Sequence, residues 1–314
     1  MFLYDHTSIE ALNPVAVSIG NLSIRWYAIF IMTGAIVALF IAIRWAKRLG
    51  IKEDDMYTAF TLGIVFGILG ARIYYCLFYN FHEFITAPWI VFTQFRNGGL
   101  AIHGGIIAGI VFAVIFCKKK HINLLAMLEI VMPGFLIGQI FGRWGNFFNQ
   151  EAHGGIVPGV TLDAQREWLS NFLPNFIVNQ MYIYDVNSAG SYVWAYWQPT
   201  FLYESVLNLI GLAIILILRK WWKKYYVGDS LCIYLVWYGI VRYFIEVMRT
   251  DALMMGSLKV AQVISILMVV AGLALFILRH VFKYKPILWT TPFAEGSLTP
   301  LPPEEDKKTS ENKK

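Results

Sequence analysis

The chain alternates between long apolar runs and short polar or charged segments. Seven of the runs approach or match the roughly 20 residues with which a helix crosses a bilayer. They are also too long for the strands of a membrane β-barrel, which take about ten residues. The pattern therefore predicts an all-α integral membrane protein with about seven transmembrane helices. Their predicted bounds are 22–42, 57–78, 100–117, 124–141, 199–219, 231–247 and 260–278.

Two parts of the chain lie outside this pattern. Residues 155–199 are polar and aromatic without a long apolar run, so we predict a small extracytoplasmic head inserted in a transmembrane domain of residues 1–285. Residues 286–314 contain several prolines followed by a charged run, a composition typical of disorder. We therefore predict a disordered, charged cytoplasmic tail from residue 286 onward.

The positions of the charged residues predict how the chain is oriented. Only 15% of the residues are charged, yet the formal net charge is +6. Most of the Lys and Arg residues fall in four groups, at 44–52, 118–120, 219–224 and from Arg279 onward. These groups follow the first, third, fifth and seventh predicted helices, which is the positive-inside pattern rather than a nucleic-acid-binding face. We predict an N-terminus outside the cell and a cytoplasmic C-terminus.

The remaining cations lie toward the predicted outer side, and nearly all of them are arginines. Anchoring at the cytoplasmic surface does not explain them, whereas bidentate binding of phosphate oxygens does. These cations are Arg25, Arg72, Arg96, Arg143, Arg166, Arg242, Arg249 and Lys259.

Two of these arginines have polar neighbours at helical spacing. Arg143 and Asn146 are three residues apart, and Arg242 and Glu246 are four apart, so each pair shares a helix face. Two arginines on different helices can clamp one lipid phosphate, and for Arg143 and Arg242 we favour this role. Glu246 either takes part in catalysis or forms a structural ion pair with an arginine, and the sequence supports both roles equally.

His103 is the candidate base. It lies near the outer end of the third predicted helix, beside Gly104 and Gly105, which permit close approach of lipid or backbone. An imidazole titrates near neutral pH and can accept a proton. The alternative is a polar group that only braces the helix bundle. Tyr27, at the outer end of the first helix, likewise has the alternative role of an interfacial anchor.

The most distinctive motif is the stretch from Gly142 to Gly154. It reads Gly-Arg, any residue, Gly-Asn-Phe, an apolar residue, Asn, any residue, Glu, two residues and Gly. This stretch resembles the signature of the prolipoprotein diacylglyceryl transferases, multi-pass enzymes of the bacterial cytoplasmic membrane. The blocks containing Tyr27, His103 and Tyr203-Glu204 resemble the same family. For the last block we expect an architectural role.

The resemblance implies an activity and its substrates. Such an enzyme transfers an sn-1,2-diacylglyceryl group from phosphatidylglycerol to the lipobox cysteine of a prolipoprotein, forming a thioether and releasing glycerol phosphate. Its catalytic residues would be His103, Arg143, Arg242 and Glu246. Phosphatidylglycerol would contact Tyr27, Arg143, Asn146, Glu151, Gly154 and Arg242. The attacking thiol belongs to the substrate, and no metal or other cofactor is expected.

Two other functions fit the same composition. One is a transporter for an anionic lipid or a small anion, whose arginines bind a substrate that crosses the membrane unchanged. The other is a passive membrane scaffold. The polar residues lie almost wholly in the predicted outer half, which disfavours the two-sided access that a transporter needs.

Overall fold

The computed structural model describes residues 4–20, 22–93, 99–187, 189–250, 253–284, 286–291 and 293. Within these residues the chain forms eleven α-helices, and seven of them are long and apolar enough to cross a membrane. The predicted all-α membrane fold with seven such helices is confirmed. The helices are α1 (Trp26–Ala46), α2 (Glu53–Phe78), α3 (Phe81–Thr86), α4 (Ile90–Thr93), α5 (Ile102–Lys119), α6 (Leu124–Asn149), α7 (Leu162–Ser170), α8 (Asn175–Gln180), α9 (Thr200–Trp221), α10 (Asp229–Met248) and α11 (Val260–His280).

Short strands in the described part of the chain form three antiparallel hairpins. They pair β1 (Val15–Ile19) with β2 (Leu22–Arg25), β3 (Tyr182–Val186) with β4 (Tyr192–Tyr196), and β5 (Met254–Met255) with β6 (Leu258–Lys259). The first hairpin corrects the predicted start of the first helix. Residues 22–25 are apolar enough to extend that helix in sequence, but they pair with β1, and α1 begins at Trp26.

Helix α6 corrects the predicted position of the signature. We expected the helix to end at Phe141, but it continues to Asn149 and carries most of the signature. It stops where Gln150 adopts a left-handed conformation, with a φ of 51°. The Gln150 and Glu151 N–H groups then donate to the carbonyls of Phe147 and Asn146, both at 3.1 Å. These two bonds form a Schellman motif, which satisfies the last carbonyls of the helix.

The chain divides into two compact units. The first comprises Met1–Ala38, Met132–Tyr225 and Asp229–Pro286, and the second comprises Leu39–Val131, Tyr226–Gly228 and Ile287–Lys314.

In the first unit, α10 packs against α9 and α11. Glycines permit the close approach of α10 and α11, since a Cβ at Gly239 would lie 2.8 Å from the Ser265 carbonyl oxygen. The predicted head at 155–199 contains α7, α8 and the β3–β4 hairpin. Its core is aromatic and aliphatic, with Leu169, Val178, Tyr196 and Trp197 fully buried.

In the second unit, α2 packs against α5. A Cβ at Gly70 would lie 2.7 Å from the Gly104 carbonyl oxygen, so the two helices touch through their backbones. Close packing of this kind is typical of small-residue interfaces between membrane helices. Arg72 is buried and donates to the carbonyls of Gly99 and Ile90 at 3.1 and 2.9 Å.

The start of the C-terminal tail differs from the prediction. The Val227 N–H donates to the Ile287 carbonyl at 2.8 Å, and Trp289 and Phe293 are buried. The Arg48 guanidinium also lies over the Trp289 ring. Prolines and charges dominate the composition of this segment, but burial of the large apolar side chains of Trp289 and Phe293 stabilises their packing in the second unit. Residues 294–314 lie outside the described part of the chain.

Candidate functional site

Four charged side chains from three helices meet in the first unit. The Glu204 carboxylate of α9 accepts from Arg143 of α6 at 2.6 Å and from Arg242 of α10 at 3.3 Å, through the same oxygen. Arg242 also pairs with Glu246 at 2.6 Å, one turn along α10. We call Arg143, Arg242, Glu204 and Glu246 the ion cluster. With both carboxylates ionised, its formal charges cancel.

The ion cluster is buried unevenly. Only 1% of the Glu204 side chain and 3% of the Glu246 side chain are exposed, against 16% for Arg143 and 17% for Arg242. The two carboxylates are thus fully enclosed, and the two arginine side chains are the members of the ion cluster that retain exposed surface. A buried carboxylate needs such partners, because desolvation of an unpaired charge costs several kcal/mol.

The signature extends the ion cluster through a chain of hydrogen bonds. The Asn146 Oδ1 atom lies 3.4 Å from Arg143 Nη1, and the Asn146 Nδ2 atom donates to Glu151 at 3.0 Å. Asn149 donates to the same Glu151 oxygen at 3.0 Å. The predicted residues Arg143, Asn146, Glu151, Arg242 and Glu246 therefore belong to one connected polar network.

The turn after α6 shows why a glycine stands at position 154. Ala152, like Gln150, has a positive φ, and the chain then passes between the start of α9 and the end of α10. The Gly154 N–H donates to the Gln198 carbonyl, and the Gly155 N–H donates to the Met248 carbonyl. A Cβ at Gly154 would lie 2.7 Å from Gln198 Cβ and 3.0 Å from Thr200 Cγ2. Gly154 is buried by these neighbours, so its observed role is close packing.

Tyr27 and Lys259 support the helices that bear the arginines. The Tyr27 ring packs on Gly145, two residues after Arg143 in α6, and 37% of the tyrosine is exposed. Lys259 donates to the carbonyls of Glu246 and Arg249 at 2.7 and 3.1 Å, which closes the C-terminal end of α10.

His103 belongs to the second unit. It is the second residue of α5, it is partly exposed, and its ring centroid lies 6.1 Å from that of Tyr74. Within the described residues no hydrogen bond to the imidazole is found, so both ring nitrogens remain available there. That His103 acts together with the arginines of the first unit stays a prediction.

The phosphate explanation does not extend to every arginine that was predicted to lie toward the outer side. The guanidinium group of Arg72 already donates hydrogen bonds to the backbone carbonyls of Gly99 and Ile90. Arg166 lies over the Tyr4 ring at 3.7 Å and contacts Asn179 at 3.3 Å, so it fastens the N-terminal segment to the head. Arg96 lies outside the described residues.

The contacts of Glu204 could not be predicted from the sequence. We expected an architectural role for this residue, and in the structure its carboxylate pairs with both arginines. Tyr238 also lies within reach, with its hydroxyl 3.4 Å from Glu204. The signal in the sequence was a carboxylate inside an apolar helix, which by itself indicates a functional or paired group.

The chain is similar to known proteins of one family. A family model described as prolipoprotein diacylglyceryl transferase matches residues 14–278. The chain is 43% identical to a protein of Lactobacillus delbrueckii subsp. bulgaricus, over 91% of this chain and 96% of that protein. It is 39% identical to one of Staphylococcus saprophyticus (88% and 92% covered) and 42% identical to one of Streptococcus agalactiae (86% and 96% covered). All three are named phosphatidylglycerol–prolipoprotein diacylglyceryl transferase.

Proposed function

The chain belongs to the prolipoprotein diacylglyceryl transferase family, and from that premise we propose that it is the transferase itself. It moves the sn-1,2-diacylglyceryl group of phosphatidylglycerol onto the lipobox cysteine of a prolipoprotein, the first step of bacterial lipoprotein maturation. The observation that carries this proposal is the ion cluster, where two arginines from different helices converge beside the family signature.

The reaction is a displacement at an sp³ carbon. The cysteine sulfur forms a bond to the terminal glyceryl carbon, and the bond from that carbon to the phosphate oxygen breaks. The electron pair leaves with glycerol phosphate, which gains a negative charge. The thiol proton must go to a base, since the thiolate is the nucleophile. The three described cysteines of this chain are buried, in keeping with a thiol supplied by the substrate.

The exposed sides of Arg143 and Arg242 suit the leaving phosphate. Guanidinium groups grip phosphate oxygens bidentately, and preorganised donors act most strongly where charge develops in the transition state. Glu204 holds both arginines at a fixed separation before the lipid arrives. Asn146 and Glu151 position Arg143 from the other side. His103 is the proposed acceptor of the thiol proton.

We propose that the enzyme lies in the bacterial cytoplasmic membrane with its N-terminus outside and its C-terminus inside. The helix ends support this orientation. Basic residues occupy the last turns of α1, α5, α9 and α11, at Arg44, Lys118–119, Arg219–Lys220 and Arg279. Alternate crossings thus end in cations, as the positive-inside rule requires of cytoplasmic ends.

The experiment is a reconstitution of the purified full chain in vesicles that contain phosphatidylglycerol. A lipobox peptide should gain the mass of one diacylglyceryl group, while the Cys→Ser peptide and vesicles of phosphatidylethanolamine alone should show no product. Release of entrapped phosphate or lipid movement without thioether formation would support the transporter instead. Absence of both activities would support the scaffold.

A further inference from the structure

A pocket lies between the turn after α6 and strand β3, outside the ion cluster but next to it. Its volume is about 300 Å³, the lower end of the range for ligand pockets. On one side are Gln150, Glu151 and His153 from the turn. On the other side are consecutive residues of β3, including Tyr184 and Asp185.

The pocket follows the unpaired edge of β3. Side chains of neighbouring strand residues point to opposite faces of the hairpin, so a pocket lined by Ile183, Tyr184 and Asp185 in succession lies along an edge. Strand β4 occupies the other edge, where Tyr184 lies opposite Trp194.

The backbone of Tyr184 points toward this free edge. Opposite Tyr182, the Tyr196 N–H donates to Gln165 and its carbonyl accepts from Val157, so neither group bonds to β3. Hydrogen-bonded and non-bonded pairs alternate along an antiparallel ladder. Tyr184 is two residues on from Tyr182, so its N–H and C=O also point away from β4. In the described part of the chain, neither the N–H nor the C=O of Tyr184 has a hydrogen-bond partner outside the hairpin.

The charge of the lining favours a peptide over the lipid phosphate. Glu151 and Asp185 supply carboxylates, and the described lining residues include no Lys or Arg. The His153 ring nitrogens lie 3.0 Å from the Gly154 carbonyl oxygen and 2.9 Å from Asp185, so both are occupied by neighbours within the chain. A phosphate would meet unfavourable charge at Glu151, whereas peptide N–H groups find acceptors.

We infer that this pocket binds the prolipoprotein segment that follows the reacting cysteine, as an extended strand added to the free edge of β3. Addition of a strand to an open sheet edge is a common mode of peptide recognition. The position favours this segment over other peptides, because Glu151 lines the pocket and reaches Arg143 through Asn146. When the reacting cysteine lies at the ion cluster, the peptide residues that follow it would therefore enter the pocket. This inference rests on the proposed function.

The variant Tyr184→Pro tests the backbone contact. Proline removes the N–H that faces the free edge, and strands tolerate proline where the N–H is not part of the ladder. Tyr184→Ala, which keeps the N–H, is the matched control for loss of the ring. Phe176→Ala is the control for an exposed aromatic residue of the head, since 61% of Phe176 and 53% of Tyr184 are exposed.

Transfer is measured with two peptides, one ending at the cysteine and one with a mature segment after it. With the longer peptide, Tyr184→Pro should raise the KM for peptide about fivefold or more, the worth of one hydrogen bond, and Tyr184→Ala should raise it less. The KM for phosphatidylglycerol and the kinetics with the shorter peptide should not change.

A photocrosslinking amino acid at position 184 gives a second readout, which does not depend on how well the proline variant folds. It should capture the longer peptide, and the same probe at position 176 should not. A rise in the KM for phosphatidylglycerol, equal effects on both peptides, or no crosslink would overturn the inference. If the wild-type chain transfers to neither peptide, the proposed function fails instead.

Discussion

The substitution Glu204→Gln removes the negative charge at the centre of the ion cluster while keeping its shape. Arg143 then loses its ion pair at 2.6 Å, and Arg242 retains only Glu246. The guanidinium groups of Arg143 and Arg242, which both bind one Glu204 oxygen in the wild type, then repel each other without a negative charge between them. We expect the variant to lose both stability and turnover.

The magnitude follows from the burial of the partners. Breaking a fully buried ion pair by removing one partner costs about 3–5 kcal/mol. Each arginine side chain is 16–17% exposed, so water screens part of the unpaired charge. We therefore expect a loss of about 2–3 kcal/mol in unfolding free energy. Misplacement of phosphate-binding groups by about 1 Å costs on the order of 100-fold in rate, and we expect a fall of that size in kcat.

The assay compares thermal unfolding of the purified full chain with thioether formation in phosphatidylglycerol vesicles. Glu129→Gln is the matched control, because Glu129 is also fully buried and accepts the Gly228 N–H at 2.7 Å, without belonging to the ion cluster. The Glu129→Gln variant should unfold at a lower temperature than the wild type, but the folded variant should keep nearly wild-type turnover. Wild-type kcat in folded Glu204→Gln would refute the idea that Glu204 orients the arginines.

Four further predictions test the remaining parts of the site. Arg143→Lys keeps the charge but loses the bidentate fork, so turnover should fall about 100-fold, and near-normal turnover would leave only a positioning charge. His103→Gln should lose turnover at pH 7 and recover part of it toward pH 9, because a thiol with a pKa of about 8.5 ionises unaided; a deep defect that stays constant with pH would exclude proton transfer to His103. Gly154→Ala should lower stability by about 1–3 kcal/mol through the clash with Gln198, visible as a lower melting temperature. A reporter fused after Lys314 should be active only in the cytoplasm, and activity outside would reverse the proposed orientation.

The number and type of the long helices could be predicted from the sequence because apolar length is a strong signal in membrane proteins. Their ends were less predictable. The start of α1 depends on a hairpin between β1 and β2, and the end of α6 depends on the backbone conformation of Gln150. Strand pairing and the backbone conformation of a single residue do not follow from the hydropathy of the sequence.

The members of the candidate site were largely predictable, but their connections were not. Helical spacing correctly paired Arg242 with Glu246, because that contact is within one helix. Glu204 lies far from both arginines in sequence, so its contacts depend on how α6, α9 and α10 pack together. The free edge of β3 could not be predicted from the sequence either, because it depends on which backbone N–H and C=O groups are not hydrogen-bonded to β4.

The charge balance of the ion cluster has a consequence for the biogenesis of the protein. Arg242 and Glu246 lie one turn apart on α10, so this helix enters the membrane with its own counter-ion. Arg143 and Glu204 lie on different helices, and each enters with an unpaired charge that costs about 2.5–3.5 kcal/mol near the bilayer centre and less near its surface. Helix α6 is synthesised before α9, so Arg143 has no contact with Glu204 until α9 has been made. Arg143 lies about two turns from the end of α6, where an unpaired charge costs less than at the middle of a membrane-spanning helix.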